Sequence, residues 1–144
     1  MRASGVGFVF QNYSLIKHIN VWENVALPLR YAKVRKKSVL KEKAYAVLDS
    51  VGLADRMTAK PVQLSGGEQQ RVAIARALVS NPEFIICDEP TGALDTVTGD
   101  DVIDMLMSLV TKNKTTMLMV THDHAIAERC DIILTMDKGK VTHV

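Results

Sequence analysis

The sequence predicts an α/β fold in which a parallel sheet is combined with a separate helical region. Apolar strands alternate with helical patterns through the second half of the chain, which is typical of a parallel sheet. Phe84–Cys87 is an uninterrupted apolar run, as expected for a parallel strand that is covered on both faces. Residues 13–64 are mainly helical in pattern, so we interpret them as an insertion into the sheet region.

The chain opens with a strand and a capped helix. Val6–Phe10 is a short apolar run with β-forming residues, and it predicts the first strand. Asn20 and Glu23 have the three-residue spacing of a capping box, which predicts a helix start at this point. The helix is expected to continue to about Ala32, with Pro28 causing a kink or an early stop.

Two further helices are predicted before the central strand. Ser38 begins the first of them, and Gly52 is a suitable residue for its C-terminal end. Its inward face is predicted to consist of six apolar residues, Val39, Leu40, Ala44, Val47, Leu48 and Val51. Ser65 begins the next helix, because Glu68 completes a second capping box. That helix is expected to end at Asn81–Pro82.

After Phe84–Cys87 the pattern alternates. It predicts a helix over Thr96–Val110, a buried strand over Thr115–Val120 and a short helix over Ala125–Arg129. Strands at Ile132–Met136 and Val141–Val144 are predicted on either side of a glycine-containing turn.

Composition excludes several classes of protein. The 144 residues suffice for one domain with a core, and 18 Lys and Arg against 16 Asp and Glu leave a net charge of +2. That balance is evidence against nucleic-acid binding, and the basic run Lys33–Lys37 is better explained as a solvated surface than as a binding patch. No apolar run reaches the length of a membrane span. Cys87 and Cys130 lack zinc-ligand spacing and suggest a reduced, cytosolic protein.

Polar side chains follow three of the predicted strands directly. Gln11 follows the first strand, Asp88 and Glu89 follow the second, and His122 lies just past the third. The carboxyl ends of parallel strands form the ligand-binding edge of such a sheet, so these groups should converge. Asp88 and Gln11 offer the oxygen ligands that Mg²⁺ prefers, Glu89 suits a general base, and His122 suits contact with a phosphate. Singly, each has an ordinary explanation as a turn or loop residue; the combination favours a site.

The start of the third helix is a second candidate site. Gly66 and Gly67 leave backbone N–H groups uncovered at the positive end of the helix, and Ser65 adds a hydroxyl. An anion site and a helix start that uses glycine for close packing explain these residues equally well.

Together these segments resemble a known family. Leu64–Gln70 resembles the signature motif of ABC-type ATPases, and Phe84–Glu89 is similar to their Walker B strand. Gly92–Asp95 resembles their D-loop, Phe10–Gln11 their Q-loop, and His122 their switch histidine. The five motifs occur in the family's order and cover essentially the whole chain.

The resemblance implies a P-loop NTPase-like sheet with a helical subdomain. Residues 1–144 would form a single partial ABC ATPase domain. Its helical subdomain would consist of residues 13–64 and the signature helix 65–81, and its catalytic core of residues 1–12 and 82–144. The resemblance of Pro90–Asp95 to cassettes of the lipoprotein-release and macrolide-export type implies export or extraction of a substrate.

The resemblance also implies cofactors, partners and residue roles. ATP and Mg²⁺ would bind between two ATPase subunits that dimerise head to tail. The dimer would dock on transmembrane permease subunits at the cytoplasmic face of the cell membrane. No nucleic-acid partner is implied. The implied roles are nucleotide capping in trans by Ser65, Gly66, Gly67 and Glu68, metal binding by Asp88 and Gln11, catalysis by Glu89 and His122, and subunit contact by Asp95.

The phosphate-gripping loop of that family is not found in the chain. Gly139-Lys140 comes nearest to Gly-x-x-x-x-Gly-Lys-Ser/Thr, but Val141 follows it. We therefore expect an N-terminally truncated cassette with little ATPase activity of its own. The alternatives are a non-catalytic cassette that donates its signature to a partner, a gene remnant, and a soluble ABC ATPase. Without the P-loop strand, Thr115–Val120 and Ile132–Met136 should stay apart and leave a marginally stable, aggregation-prone chain.

Overall fold

A computed structural model describes residues 5–143. Its regular elements, in chain order, are β1 (Val6–Val9), α1 (Val21–Tyr31), α2 (Lys37–Ser50), α3 (Gly66–Leu78), β2 (Phe84–Asp88), α4 (Thr96–Lys112), β3 (Thr116–Val120), α5 (His124–Ala127), β4 (Leu134–Asp137) and β5 (Lys140–His143). Every predicted helix and strand is present within a few residues of its expected bounds. Val144, the expected end of the last strand, lies outside the described residues. Two short 3₁₀ turns, Ala54–Arg56 and Pro61–Gln63, were not predicted.

The sheet is parallel, as predicted. Its order is β1-β2-β3, and Val9, Cys87 and Met119 lie side by side across the three strands. Strands β4 and β5 form a separate antiparallel hairpin. The expectation that the third and fourth strands remain apart is therefore confirmed for residues 5–143.

Strand β2 is buried on one face only, which corrects the expectation of a strand covered on both faces. Ile85 and Cys87 are fully buried, whereas Phe84 and Ile86 on the opposite face are partly exposed. On that opposite face, Leu118 of β3 is 45% exposed. The reason is that Ile85 and Cys87 belong to the core that residues of α3 and α4 also form, whereas side chains on the other face, such as Phe8 and Leu118, are exposed.

The helical region packs as a layer of its own beside the sheet. Helix α1 contacts both α2 and α3, and its inward residues include the fully buried Val21 and Val25. The predicted capping box is present, because the Asn20 side chain accepts a bond from the Glu23 N–H and the Glu23 carboxylate accepts one from the Asn20 N–H. Pro28 lies inside α1 without ending it.

Asn24 is a fully buried polar residue whose side chain is well satisfied. Its amide oxygen accepts a bond from the Ile16 N–H at 2.8 Å, and its amide nitrogen donates to the carbonyls of Ile16 and Asn20, each at 3.1 Å. These bonds attach the segment after Gln11 to helix α1.

We expect the Asn24→Leu variant to lose about 2–3 kcal/mol in the free energy of unfolding, since it leaves partly buried backbone groups of Ile16 unpaired. Chemical denaturation measures the loss. The control is Asn12→Leu, because Asn12 is exposed and, within residues 5–143, its side chain bonds the nearby Ser14 hydroxyl alone. Equal losses in the two variants would contradict the prediction.

Candidate functional site

The carboxyl edge of the sheet carries the predicted polar groups. Asp88 is the last residue of β2, and its register partner Val120 is the last residue of β3. Glu89 and His122 follow these two strands, and Gln11 follows β1 on the other side of β2. The predicted convergence of three strand ends is therefore present.

Glu89 and His122 are in direct contact. One carboxylate oxygen of Glu89 accepts a bond from the His122 backbone N–H at 3.0 Å and lies 2.7 Å from the His122 Nδ1. The Glu89 N–H in turn donates to the Val120 carbonyl at 2.9 Å. Glu89 has a φ of 47°, a conformation that non-glycine residues adopt at a cost and that aims this carboxylate at β3.

The contact affects the protonation of His122. The hydrogen bond and charge of Glu89 raise the pKa of His122, and Asp123 makes a smaller contribution in the same direction. A raised pKa means that the folded chain favours the protonated ring. The resulting stabilisation is fully present below the ordinary pKa of histidine and is lost as the pH rises through the raised value.

We expect the Glu89→Gln variant to lower the pKa of His122 towards the ordinary value, because the new amide removes the negative charge. Titration of the histidine ring signals by NMR measures this pKa. Asp123→Asn is the control, and it should lower the pKa of His122 by less. A larger shift in Asp123→Asn than in Glu89→Gln would refute this account.

Asp88 and Gln11 have the chemistry of magnesium ligands. Both side chains are exposed at the sheet edge, and a carboxylate with an amide oxygen suits a hard cation. The Gln11 side chain lies against Gly92, where an added Cβ would come within 2.5 Å of its Nε2. Within residues 5–143 no group of three or more His, Cys, Asp and Glu is arranged for a metal. The two residues therefore fit an ion that takes its other ligands from water or phosphate.

Ser65 begins α3 in the predicted way. Its side-chain oxygen accepts a bond from the Glu68 N–H, and one Glu68 carboxylate oxygen accepts a bond from the Ser65 N–H, both at 3.2 Å. The other carboxylate oxygen lies 3.4 Å from the Arg56 Nε. The pKa of Glu68 is lowered, mainly by the bond from the Ser65 backbone. The Ser65 hydroxyl keeps its own hydrogen for donation, while both Glu68 oxygens are engaged within the chain.

Gly66 and Gly67 are packed closely. A Cβ on Gly67 would lie 2.6 Å from the Thr98 Cγ2, and one on Gly66 would lie 3.0 Å from the Tyr13 hydroxyl. The close-packing explanation of these glycines is therefore correct. It does not compete with anion binding, because the first N–H groups of α3 still lack partners inside the helix.

Asp95 begins helix α4. Its side chain accepts a bond from the Thr98 N–H at 3.1 Å, and this interaction lowers the pKa of Asp95. Asp95 is exposed. Its expected part in subunit contact stays a prediction.

The signature segment borders an open cavity of about 380 Å³. The polar residues that line it include Arg56, Ser65, Glu68 and Arg71. Neither Glu89 nor His122 is among its lining residues. The chain therefore presents two distinct surfaces, the Glu89–His122 pair at the sheet edge and the signature segment at the start of α3.

Two side chains of α3 that the sequence analysis did not single out donate hydrogen bonds to backbone carbonyls near the candidate site residues. Arg76 donates to the carbonyls of Tyr13 and Ser14, and the buried Gln70 donates to the Pro90 carbonyl. Gln70 had a detectable signal, since it precedes the buried Ile74 by one helical turn and so belongs to the inward face of α3.

Comparison with known proteins shows the family. Residues 1–92 match the family model described as ABC transporter. The chain belongs to the ABC transporter family. As the resemblance implied, it carries an ATP-binding domain of that family. The roles of its signature, Walker B, D-loop, Q-loop and switch-histidine residues stay predictions.

Several ABC transporter relatives align with nearly the whole chain. The ATP-binding protein YbbA of Escherichia coli (strain K12) is 48% identical over 143 residues, and YvrO of Bacillus subtilis (strain 168) is 44% identical over 141. The lipoprotein-releasing system ATP-binding protein LolD of Legionella pneumophila (strain Lens) is 45% identical over 141 residues. Each alignment covers 98% of this chain but only 61–62% of the relative's length.

Solved structures agree with the fold. A dimeric, post-hydrolysis structure of the ATP-binding cassette MJ0796 with ADP and Pi matches with a TM-score of 0.82 and 37% identity, covering 97% of this chain and 63% of that one. A second dimeric structure of MJ0796, described as a bacterial ABC transporter cassette, matches with a TM-score of 0.81. The predicted ABC ATPase fold class is confirmed. Within residues 5–143, no helix has the length and hydrophobicity required to cross a membrane.

Proposed function

We propose that this chain is part of an ATP-binding and ATP-hydrolysing subunit of an ABC membrane transporter that drives export or extraction of a substrate. The observation that carries the proposal is the contact between Glu89 and His122 at the ends of neighbouring strands. This contact supports the proposal, because a carboxylate beside an imidazole suits the handling of the attacking water and the γ-phosphate of ATP.

In this proposal, four residues at the carboxyl edge of the sheet take part in ATP hydrolysis. Asp88 and Gln11 would hold Mg²⁺, which supplies positive charge beside the phosphates. Glu89 would accept a proton from the attacking water or orient it, and the exposed His122 ring would contact the γ-phosphate. The raised pKa of His122 supports its role, because a protonated imidazole is attractive to an anion.

The signature segment would act on a second subunit. Ser65, Gly66 and Gly67 would cap the γ-phosphate held by the partner, while Glu68 would keep the start of α3 in shape through its bonds to Ser65 and Arg56. Asp95 would contribute to the contact between subunits. The dimeric form of the similar cassette MJ0796 supports a pair of subunits, and the head-to-tail arrangement is what the family resemblance implies.

Membrane subunits complete the proposed assembly. The similarity to LolD, which is described as part of a lipoprotein-releasing system, supports docking on transmembrane permease subunits at the cytoplasmic face of the membrane. The helical subdomain would provide the docking surface. We propose no nucleic-acid partner, since the net charge of +2 is nearly balanced.

A second candidate is a non-catalytic cassette. It would donate its signature residues, Ser65 to Glu68, to a partner carrying an intact Gly-x-x-x-x-Gly-Lys-Ser/Thr loop. A gene remnant is the third outcome.

The two candidates are separated by isolating the native protein from its own cell with a C-terminal tag. Under the main proposal its intact mass exceeds 15.9 kDa by several kilodaltons, and the extra segment contains a Gly-Lys-Ser/Thr loop. Magnesium-dependent ATP turnover should then fall at least ~100-fold in Glu89→Gln. The control Glu128→Gln, at an exposed carboxylate at the end of α5, should retain turnover.

Other outcomes decide against the main proposal. A product of 15.9 kDa that hydrolyses no ATP, but forms an ATP-dependent complex with a loop-bearing cassette, supports the signature donor. A heavier product that neither binds nor hydrolyses ATP overturns both candidates.

A further inference from the structure

Gln70 is an unusual residue in the interior of the chain. Asn24 and Gln70 are the two fully buried polar side chains within residues 5–143. The Asn24 side chain is satisfied by several backbone groups, whereas the Gln70 amide oxygen has no hydrogen-bond partner. The Gln70 amide nitrogen donates to the carbonyl of Pro90. The Gln70 side chain therefore contributes a donor at this position, while its acceptor is left unsatisfied.

The bond from Gln70 acts on the turn that holds Glu89. Pro90 follows Glu89 directly, is buried, and has no N–H of its own, so its carbonyl is its sole backbone polar group. The Glu89 carbonyl accepts a bond from the Gly92 N–H at 3.0 Å, which closes the turn. Within this turn Glu89 has its positive φ, so the backbone must be held on both sides of that residue.

A backbone hydrogen bond holds the chain on the N-terminal side of Glu89, and the Gln70 side chain holds it on the C-terminal side. Before the strained residue, the Glu89 N–H donates to the Val120 carbonyl of β3. After it, the Pro90 carbonyl is held by a side chain from α3, the helix that begins with the signature residues. Gln70 thus connects the signature helix to the residue that places its carboxylate against His122.

We propose that Gln70 is a positioning residue, which fixes the Glu89 turn through the Pro90 carbonyl and so keeps the Glu89 carboxylate on His122. The catalytic meaning of this role rests on the proposed function of Glu89. The role itself is a property of the chain without nucleotide. The hydrogen bond from Gln70 to the Pro90 carbonyl also links helix α3, which begins with the signature residues, to the Glu89–His122 pair in the same chain.

Native-state hydrogen exchange on the native protein, isolated with a C-terminal tag and kept free of ATP, tests the proposal. In Gln70→Met the donor is lost while the volume is nearly kept, so we expect the His122 and Glu89 N–H groups to exchange ~10-fold faster. The Ile86 N–H, in the middle of β2, serves as the internal reference. Gln69→Met is the matched control, because within residues 5–143 the Gln69 side chain donates only to the Leu64 carbonyl at the helix start.

A second variant separates positioning from packing. In Gln70→Glu the new carboxyl group donates to the Pro90 carbonyl only when it is protonated, and burial raises its pKa. Protection of the His122 N–H, taken relative to Ile86, should therefore return as the pH falls from about 7 to about 5. Because His122 itself becomes protonated as the pH falls, the same ratio in Gln70→Met is the reference at each pH. A change that is only steric would give the two variants the same dependence on pH.

The outcomes are distinct. Unchanged exchange at His122 and Glu89 in a folded Gln70→Met chain overturns the proposal. Equal acceleration at Ile86 also overturns it, since that result means general destabilisation. The exchange results can agree with the proposal while the native protein hydrolyses no ATP. In that case Gln70 keeps its positioning role, and the proposed ATPase function is wrong.

Discussion

The Gly7→Ala variant is expected to lose about 1–3 kcal/mol in the free energy of unfolding. Gly7 is buried in β1, and an added Cβ would lie 2.5 Å from the backbone carbonyl oxygen of Ala77. That oxygen belongs to helix α3 and cannot move aside as the end of a flexible side chain could. The variant must therefore separate β1 from α3, which carries the signature residues.

An opposing effect exists but is smaller. Replacing glycine by alanine restricts the unfolded chain and stabilises the fold by about 0.4–1 kcal/mol where the backbone permits it. Gly7 has no positive φ, so this gain is available to it, and the steric cost should exceed it. Gly5→Ala is the control in the same segment, because nothing lies within 4 Å of its added Cβ. It should change stability by less than about 0.5 kcal/mol.

Urea denaturation of the two variants beside the parent chain measures the difference. A stability of Gly7→Ala equal to that of Gly5→Ala would mean that the contact between β1 and α3 is loose. Loss of stability in both would instead point to the start of the chain as a whole.

Local patterns were sufficient to predict most of the fold. The capping boxes at Asn20 and Ser65 marked two helix starts because the cap bonds lie within four residues of sequence. The alternation of strands and helices predicted the parallel sheet, because that pattern too can be seen in short stretches of sequence. Burial of β2 was misjudged, because the sequence of a strand does not state which neighbours cover its two faces.

The candidate site was predictable to the extent that it lies at strand ends. The sequence placed Glu89 and His122 at one edge, and they are bonded there. It did not predict the positive φ of Glu89 or the bond from Gln70 to Pro90, which spans twenty residues of sequence. Contacts of that separation depend on how α3 packs beside the sheet, and neither periodicity nor motif spacing contains that information.

The isolated 144-residue chain is expected to hydrolyse ATP at a rate at least ~100-fold below that of a cassette with an intact P-loop. The sequence lacks the Gly-x-x-x-x-Gly-Lys-Ser/Thr segment whose backbone N–H groups and lysine hold the β- and γ-phosphates. Removing a single preorganised donor typically costs about 10²–10³ in rate, and here the whole set is missing. Asp88, Glu89 and His122 would remain, but no described part of the chain would hold the phosphates against them.

Turnover of the purified chain should be compared with that of full-length Escherichia coli YbbA, a relative at 48% identity, at equal Mg²⁺ and ATP. The same preparation of the Glu89→Gln variant is the control, because any turnover that survives the loss of this carboxylate comes from contaminating ATPases. Only the Glu89-dependent fraction counts. If that fraction came within ~10-fold of the YbbA rate, other residues of this chain would have to bind the ATP phosphates. The basic side chains beside the signature segment, Arg56 and Arg71, would then be the first residues to replace, since both line the cavity next to Ser65.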